Sequence, residues 1–228
     1  MMQTKMMKPS ETAKYNAQEV ADLRKLVSRG EGLHLEFKRK AAHPEKIVRE
    51  MIAFANTEGG TVLIGVSDDG TMPGVIYPEE ESHSIRKALD DYCRPALPYE
   101  ESLIALSQKH FIIRYDIPKG EKRPYYFHID TEKKETYVRT KDMSVKASRE
   151  MKEIIRRARS DKGTRFMFGD HEKKLMEYLE VSKTITLNEF KILTGLNRIK
   201  AAKKLVLLVL ANVLFITATE KGDVYARR

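Results

Sequence analysis

The chain has 228 residues, 41% hydrophobic and 33% charged, with 42 Lys and Arg against 33 Asp and Glu and a net charge of +9. That much apolar residue excludes a disordered chain, and the basic balance favours a polyanionic partner over an acidic or neutral one. A single cysteine, Cys93, excludes a disulfide framework and zinc-finger spacing, and the longest apolar run, residues 205–216, is broken by Asn212 and too short for a bilayer.

The start of the chain lacks the apolar core of a signal peptide. The expectation is a cytoplasmic protein with no membrane partner. Charge is unevenly spread. From Val138 onward there are 21 basic and 11 acidic residues, which leaves 21 basic and 22 acidic for everything before it. A basic binding module beside a near-neutral one is the expected organisation.

Residues 1–15 are polar and expected to be flexible. Val20, Leu23, Leu26 and Val27 recur at helical spacing, so a short amphipathic helix is predicted over 18–28. Leu33, Leu35 and Phe37 then alternate with His34, Glu36 and Lys38. That period of two predicts a half-buried strand whose polar face carries Glu36 and Lys38.

Pro44 opens the next helix, with Ile47, Val48, Met51, Ile52 and Ala55 as its apolar face. Asn56-Thr-Glu-Gly-Gly60 ends it, and residues 61–66 read as a strand covered on both sides. Ser67-Asp-Asp-Gly70 is a turn. A helix is predicted over 82–92, and strands over 111–117, 125–129 and 136–139. A basic helix over 148–158 follows. The domain boundary is expected at a linker over 160–169, so that one domain spans 16–159 and a second 170–228.

In the second part, helices are predicted over 171–179, from Thr186 to about 194, and over 198–210, with a short extended piece at 184–186. Thr186 and Glu189 have capping-box spacing, Gly195 makes a turn, and Asn197 caps the last helix. Residues 214–217 and 224–227 flank a turn as a hairpin. Helices followed by a hairpin in this order make a small winged helix-turn-helix domain. Ile199, Ala202, Val206 and Val209 are expected to face inward. Asn197, Arg198, Lys200, Lys203 and Lys204 are then the candidate DNA contacts, with Lys221 at the wing tip. Asn and Arg suit base edges, and lysines suit phosphates. Arg156, Arg157 and Arg159 form a second basic surface. Residues 205–210 are apolar all round and must pack on another surface, such as a second subunit.

Glu31-x-x-x-x-Glu36-Phe37-Lys38, followed by Ala53-Phe-Ala-Asn-Thr-x-Gly-Gly60 and Ile64-Gly-Val-x-Asp-Asp-Gly70, resembles the Schlafen-type AlbA domain. Tyr137-Val-Arg139 is similar to the family's late strand, although Thr140-Lys-Asp-Met143 replaces the usual glycine there. The resemblance covers roughly residues 30–148. It implies a mixed-sheet α/β domain that binds nucleic acid, common in bacterial proteins described as transcriptional regulators and often followed by a winged helix.

In the family's nuclease members, two glutamates and an aspartate form a metal-dependent centre that cuts RNA. By motif position these fall on Glu31, Glu36 and either Asp68 or Asp69, which would hold Mg²⁺ or Mn²⁺. The family is also described as ATP-binding, which makes Lys38, Gly59 and Gly60 candidate phosphate contacts. No Walker lysine follows the glycines, however. The leading expectation is a DNA-binding transcriptional regulator that needs no cofactor and forms a homodimer. A metal-dependent endoribonuclease is second, and a nucleotide-binding regulator third.

Overall fold

The structure is a computed structural model that describes residues 14–130, 132–158 and 166–228. Contacts divide the chain into two units, Met1–Ser144 and Val145–Arg228. The break lies ahead of the linker expected from sequence, and the residues of that linker up to 165 fall outside those described.

The N-terminal unit holds α1 (Ala17–Val27), β1 (Leu35–Lys38), α2 (Pro44–Asn56), β2 (Gly60–Ile64), α3 (Pro78–Tyr92), β3 (Cys93–Arg94), β4 (Glu100–Ala105), β5 (Phe111–Ile117), β6 (Tyr126–His128), β7 (Lys134–Glu135) and β8 (Tyr137–Thr140). β9 (Met143–Lys146) pairs with β8 at its end. The main sheet runs β1-β2-β5-β4. β1 and β2 are parallel, and the other two pairings are antiparallel. The sheet is therefore mixed, as expected. β3, β6 and β7 make a second small sheet.

Alternation along each strand gives the main sheet two buried faces. Leu35 and Phe37, with Leu63, Ile104 and Ile112, meet Val20, Leu23 and Val27 of α1. Val62, Ile64, Ile113, Tyr115 and Ile117 meet α2 and α3 through Val48, Met51, Ile52, Ile85 and Leu89. Val48, Met51 and Ile52 have no exposed surface, and burial of such side chains contributes about 1.5–3 kcal/mol each. The parallel register sets Glu36 beside Val62, so Glu36 points to the α2 side of the sheet. The predicted polar face of β1 is thus not a solvent face, and Glu36 is only 6% exposed.

The double glycine sets the α2–β2 turn. Gly59 has φ +81°, and a Cβ there would stand 2.7 Å from the Ile117 carbonyl oxygen. A Cβ on Gly60 would stand 2.4 Å from the Phe54 ring. Both positions need glycine so that helix and sheet can approach. β4 was not anticipated, because Glu100, Glu101 and Ser102 give its first half no apolar alternation. It is the sheet edge beside β5, where such residues are tolerated.

The C-terminal unit contains α4 (Arg149–Arg157), α5 (Asp170–Ser182), β10 (Thr184–Thr186), α6 (Leu187–Thr194), α7 (Arg198–Leu210), β11 (Leu214–Thr217) and β12 (Val224–Arg227). Its sheet runs β10-β12-β11, antiparallel throughout. Leu175, Leu179, Ile185, Phe190, Leu205, Leu208, Leu214 and Tyr225 form its core. Thr186 Oγ1 accepts from the Glu189 amide at 3.2 Å, and Glu189 Oε2 accepts from the Thr186 amide at 2.7 Å, closing the predicted capping box. Gly195 ends α6 at φ +69°.

Two expectations about α7 change. Val206 is buried as predicted, but the other buried residues are Ala201, Leu205 and Leu208, one step away from the predicted Ala202 and Val209, and Ile199 is 78% exposed. A segment this rich in apolar residues does not fix its own phase by hydrophobic count. Its apolar circumference also has a partner within the chain: α4 and α6 both pack on α7. α4 offers Met151, Ile154 and Ile155 as a buried stripe, which is why it belongs with the C-terminal unit.

Candidate functional site

In the N-terminal unit the motif residues gather around Arg139. β1 carries Glu36 and Lys38 two residues apart, so both project from one face. Lys38 Nζ donates to Glu36 Oε1 and, at 2.9 Å, to the Phe37 carbonyl. The other oxygen, Glu36 Oε2, accepts from Arg139 Nη2 at 2.6 Å.

Arg139 arrives from β8 and is 4% exposed. Its Nη1 donates to Glu50 Oε2 of α2 at 2.8 Å, its Nε to the Gly32 carbonyl at 3.0 Å, and its Nη2 also to the Leu35 carbonyl at 3.3 Å. The guanidinium lies over the Phe54 ring, 5.0 Å from its centroid. Ser144 Oγ donates to Glu50 Oε2. Burial pushes the Glu50 carboxyl above its usual range, and the Glu36 carboxylate adds to this.

Glu31 lies beside this network. Its Oε1 accepts from the Phe37 amide at 2.8 Å. Burial raises its pKa; the Phe37 amide opposes this, the Glu36 and Asp68 carboxylates reinforce it, and Lys38 opposes it. Glu36, Lys38 and Asp68 therefore all act electrostatically on Glu31. They do not converge further. Among the described residues no group of three or more His, Cys, Asp or Glu side chains is disposed to hold a metal ion. Both oxygens of Glu36 accept from resident cations, Lys38 and Arg139, so the arrangement is an ion-pair network. Asp69 closes its own turn: Oδ1 accepts from the Thr71 amide at 2.9 Å and from Thr71 Oγ1 at 2.6 Å.

The glycine turn offers no free cradle for phosphate at Gly59. Its amide donates to the Phe54 carbonyl at 2.9 Å, and its carbonyl sits 2.9 Å from His34 Nδ1. Gly60 begins β2 opposite Ile117. Asn56, just before the turn, is buried. Its Nδ2 donates to the Tyr125 and Tyr137 carbonyls at 3.0 Å each, and its Oδ1 accepts from the Tyr125 amide at 2.7 Å. The motif's Asn and glycines are thus architectural. Burial pushes the Cys93 thiol up to about 12, which keeps it protonated and unreactive.

In the C-terminal unit the predicted contacts separate into two groups. Asn197 Oδ1 accepts from the Lys200 amide at 2.9 Å, so this side chain caps α7. Arg198 Nη2 lies 3.3 Å from Glu150 Oε1 of α4, and Lys204 Nζ 2.5 Å from Glu172 Oε1 of α5. Glu172 feels burial pushing up, but Lys204 and the Gly169 amide outweigh it and hold the carboxyl below its usual range. Lys200, Lys203 and Lys221 are exposed. Arg156 is exposed and bonded to Glu153, Arg157 is half-buried, and Arg159 lies outside the described residues.

In the sequence Arg139 stands out only as part of a strand and Asn56 only as part of a helix end, and Glu50 carries no signal of its own. The available signal was an arginine within a Tyr-Val-Arg-Thr strand, where a cation inside a sheet demands a carboxylate partner.

The fold and this network define a mixed-sheet α/β domain stitched by a buried arginine, followed by a small basic unit. Residues 31–148, more than half of the chain, match the model of the Schlafen AlbA_2 family, and the chain belongs to that family. Among solved structures it is similar to the DIP2311 protein from Corynebacterium diphtheriae, at 16% identity and a TM-score of 0.45 over 64% of this chain and 33% of that one. It is also similar to the N-terminal domain of a putative ATP-dependent DNA helicase RecG-related protein from Nitrosomonas europaea. There the identity is 21% and the TM-score 0.41, over 56% of this chain and 90% of that one. The chain thus spans about a third of the first of these structures. No curated protein matches it.

Proposed function

We propose that the chain is a duplex-DNA-binding protein, acting as a transcriptional regulator, whose C-terminal unit is a winged helix-turn-helix. The observation that carries this is the leading end of α7. It follows the Gly195 turn after α6, begins at a capped Asn197, and turns Lys200 and Lys203 to solvent beside a β11–β12 hairpin tipped by Lys221. A helix presented in this way enters a major groove by its first turns, and exposed ammoniums meet phosphates.

The test is fluorescence anisotropy of the full chain with labelled duplex DNA across a salt series. The affinity should fall linearly with salt on logarithmic axes. Lys200→Ala with Lys203→Ala should reduce that slope by about 2. Salt-independent binding, or a double variant that behaves as wild type, defeats the proposal. The ribonuclease alternative requires RNA cleavage with Mn²⁺ that Glu36→Gln abolishes; the two cations already bonded to Glu36 speak against it.

A further inference from the structure

α7 presents an unusual head for a helix expected to read bases by hydrogen bonds. Three of its five polar candidates are occupied: Asn197 by its cap, Arg198 by Glu150, and Lys204 by Glu172. Asn197 and Arg198 are themselves exposed, but each is engaged by its bond; outward and unengaged over the first two turns are Ile199, 78% exposed, with Lys200 and Lys203. Asn197 and Ile199 are two apart and Ile199 and Lys203 four apart, so the isoleucine shares a helix face with one of the free lysines.

An exposed β-branched apolar side chain gains nothing from water. Between ammoniums it is poorly suited to a neutral protein partner, because docking there would desolvate both charges. A groove lined by phosphates is complementary to those charges. The apolar group that duplex DNA displays in its major groove is the 5-methyl of thymine.

We propose that Ile199 is a specificity-determining residue that packs on a thymine methyl in the major groove, while Lys200 and Lys203 hold the flanking phosphates. The preferred ligand is then a thymine-bearing duplex, selected by apolar contact and not by a bidentate arginine. This rests on the duplex-DNA reading above and deepens it.

The test compares the full chain's affinity for a short dA·dT duplex with that for the dA·dU duplex of the same length, which differs only by the methyl groups. Wild type should bind dA·dT about fourfold tighter, the effect of one buried methyl. Ile199→Ala should equalise the two affinities while leaving the melting temperature unchanged. Equal affinities in wild type, or a preference that survives Ile199→Ala, overturn the inference and leave duplex binding standing. A change in sedimentation on Ile199→Ala with no change in base preference overturns it in favour of a contact between copies. No binding to either duplex removes the DNA reading as well.

Discussion

Arg139 Nη2 and Glu36 Oε2 stand 2.6 Å apart, brought together across 103 residues of chain, with both side chains withdrawn from solvent. Glu50, half-buried, completes the pair into a triad. Such charges are costly to desolvate, and they are tolerated only while each has its partner.

Arg139→Met should therefore lower stability by about 3–5 kcal/mol, because it leaves two carboxylates without their cation. Arg139→Lys should recover little, since one ammonium cannot span the Gly32 and Leu35 carbonyls and both glutamates. Urea denaturation measures both. A lysine variant as stable as wild type would show that the fork geometry does not matter.

Asn56→Ala should cost about 3 kcal/mol. It strips partners from one buried amide and two carbonyls at once. Asn56→Asp should be no milder, because a carboxylate would face the Tyr125 and Tyr137 carbonyl oxygens. Calorimetric melting of the two variants side by side checks the order.

The glycines offer a paired comparison. Gly60→Ala drives a methyl into the Phe54 ring and should cost about 1–3 kcal/mol through forced repacking. Gly30→Ala has open space around its Cβ but a φ of +72°, so only backbone strain of about 1–2 kcal/mol applies. If Gly60→Ala melts with wild type, the helix–sheet contact is looser than described.

Glu50 gives a pH prediction. Burial, then the Glu36 carboxylate, raises its folded pKa above the ordinary glutamate value. As pH rises past that value the unfolded chain releases its proton first, so the stability that Glu50 contributes is full below it and is lost as pH climbs through the folded pKa. Wild type should lose stability relative to Glu50→Gln over that window, and the difference should level off above it. Denaturation midpoints measured from pH 4 upward decide the matter; a difference that moves the other way rejects the assignment.

Arg198 warns against a simple reading of binding defects. Its partner Glu150 is 7% exposed, so Arg198→Ala should destabilise the C-terminal unit by about 1–3 kcal/mol. Lys200→Ala should stay within about 0.5 kcal/mol of wild type. Thermal unfolding of both variants separates a folding effect from a lost DNA contact.

Legibility in the sequence follows the range of the physics. The capping box at Thr186 and Glu189, the Asn197 cap and the turn at Gly59 and Gly60 are local, and residue type alone specifies them. What stayed hidden is long-range. Glu36 looked like a solvent-facing strand position because its cover, Arg139, comes from far along the chain. β4 hid because an edge strand can carry Glu100 and Glu101 without penalty. The phase of α7 was lost because the core it faces, built from α5, α6 and the hairpin, decides which apolar residues turn in.

The seam between α4 and α7 has a consequence for how such chains can be rearranged. The family match ends at residue 148 and the contact break falls after Ser144, so the end of the family match and the contact break nearly coincide. α4 lies beyond both and carries the stripe that covers α7. A recombination junction placed just before α4 would transfer the C-terminal unit with its cover in place. A junction placed after Arg157 would hand the recipient an uncovered α7, and with it a sticky, aggregation-prone graft.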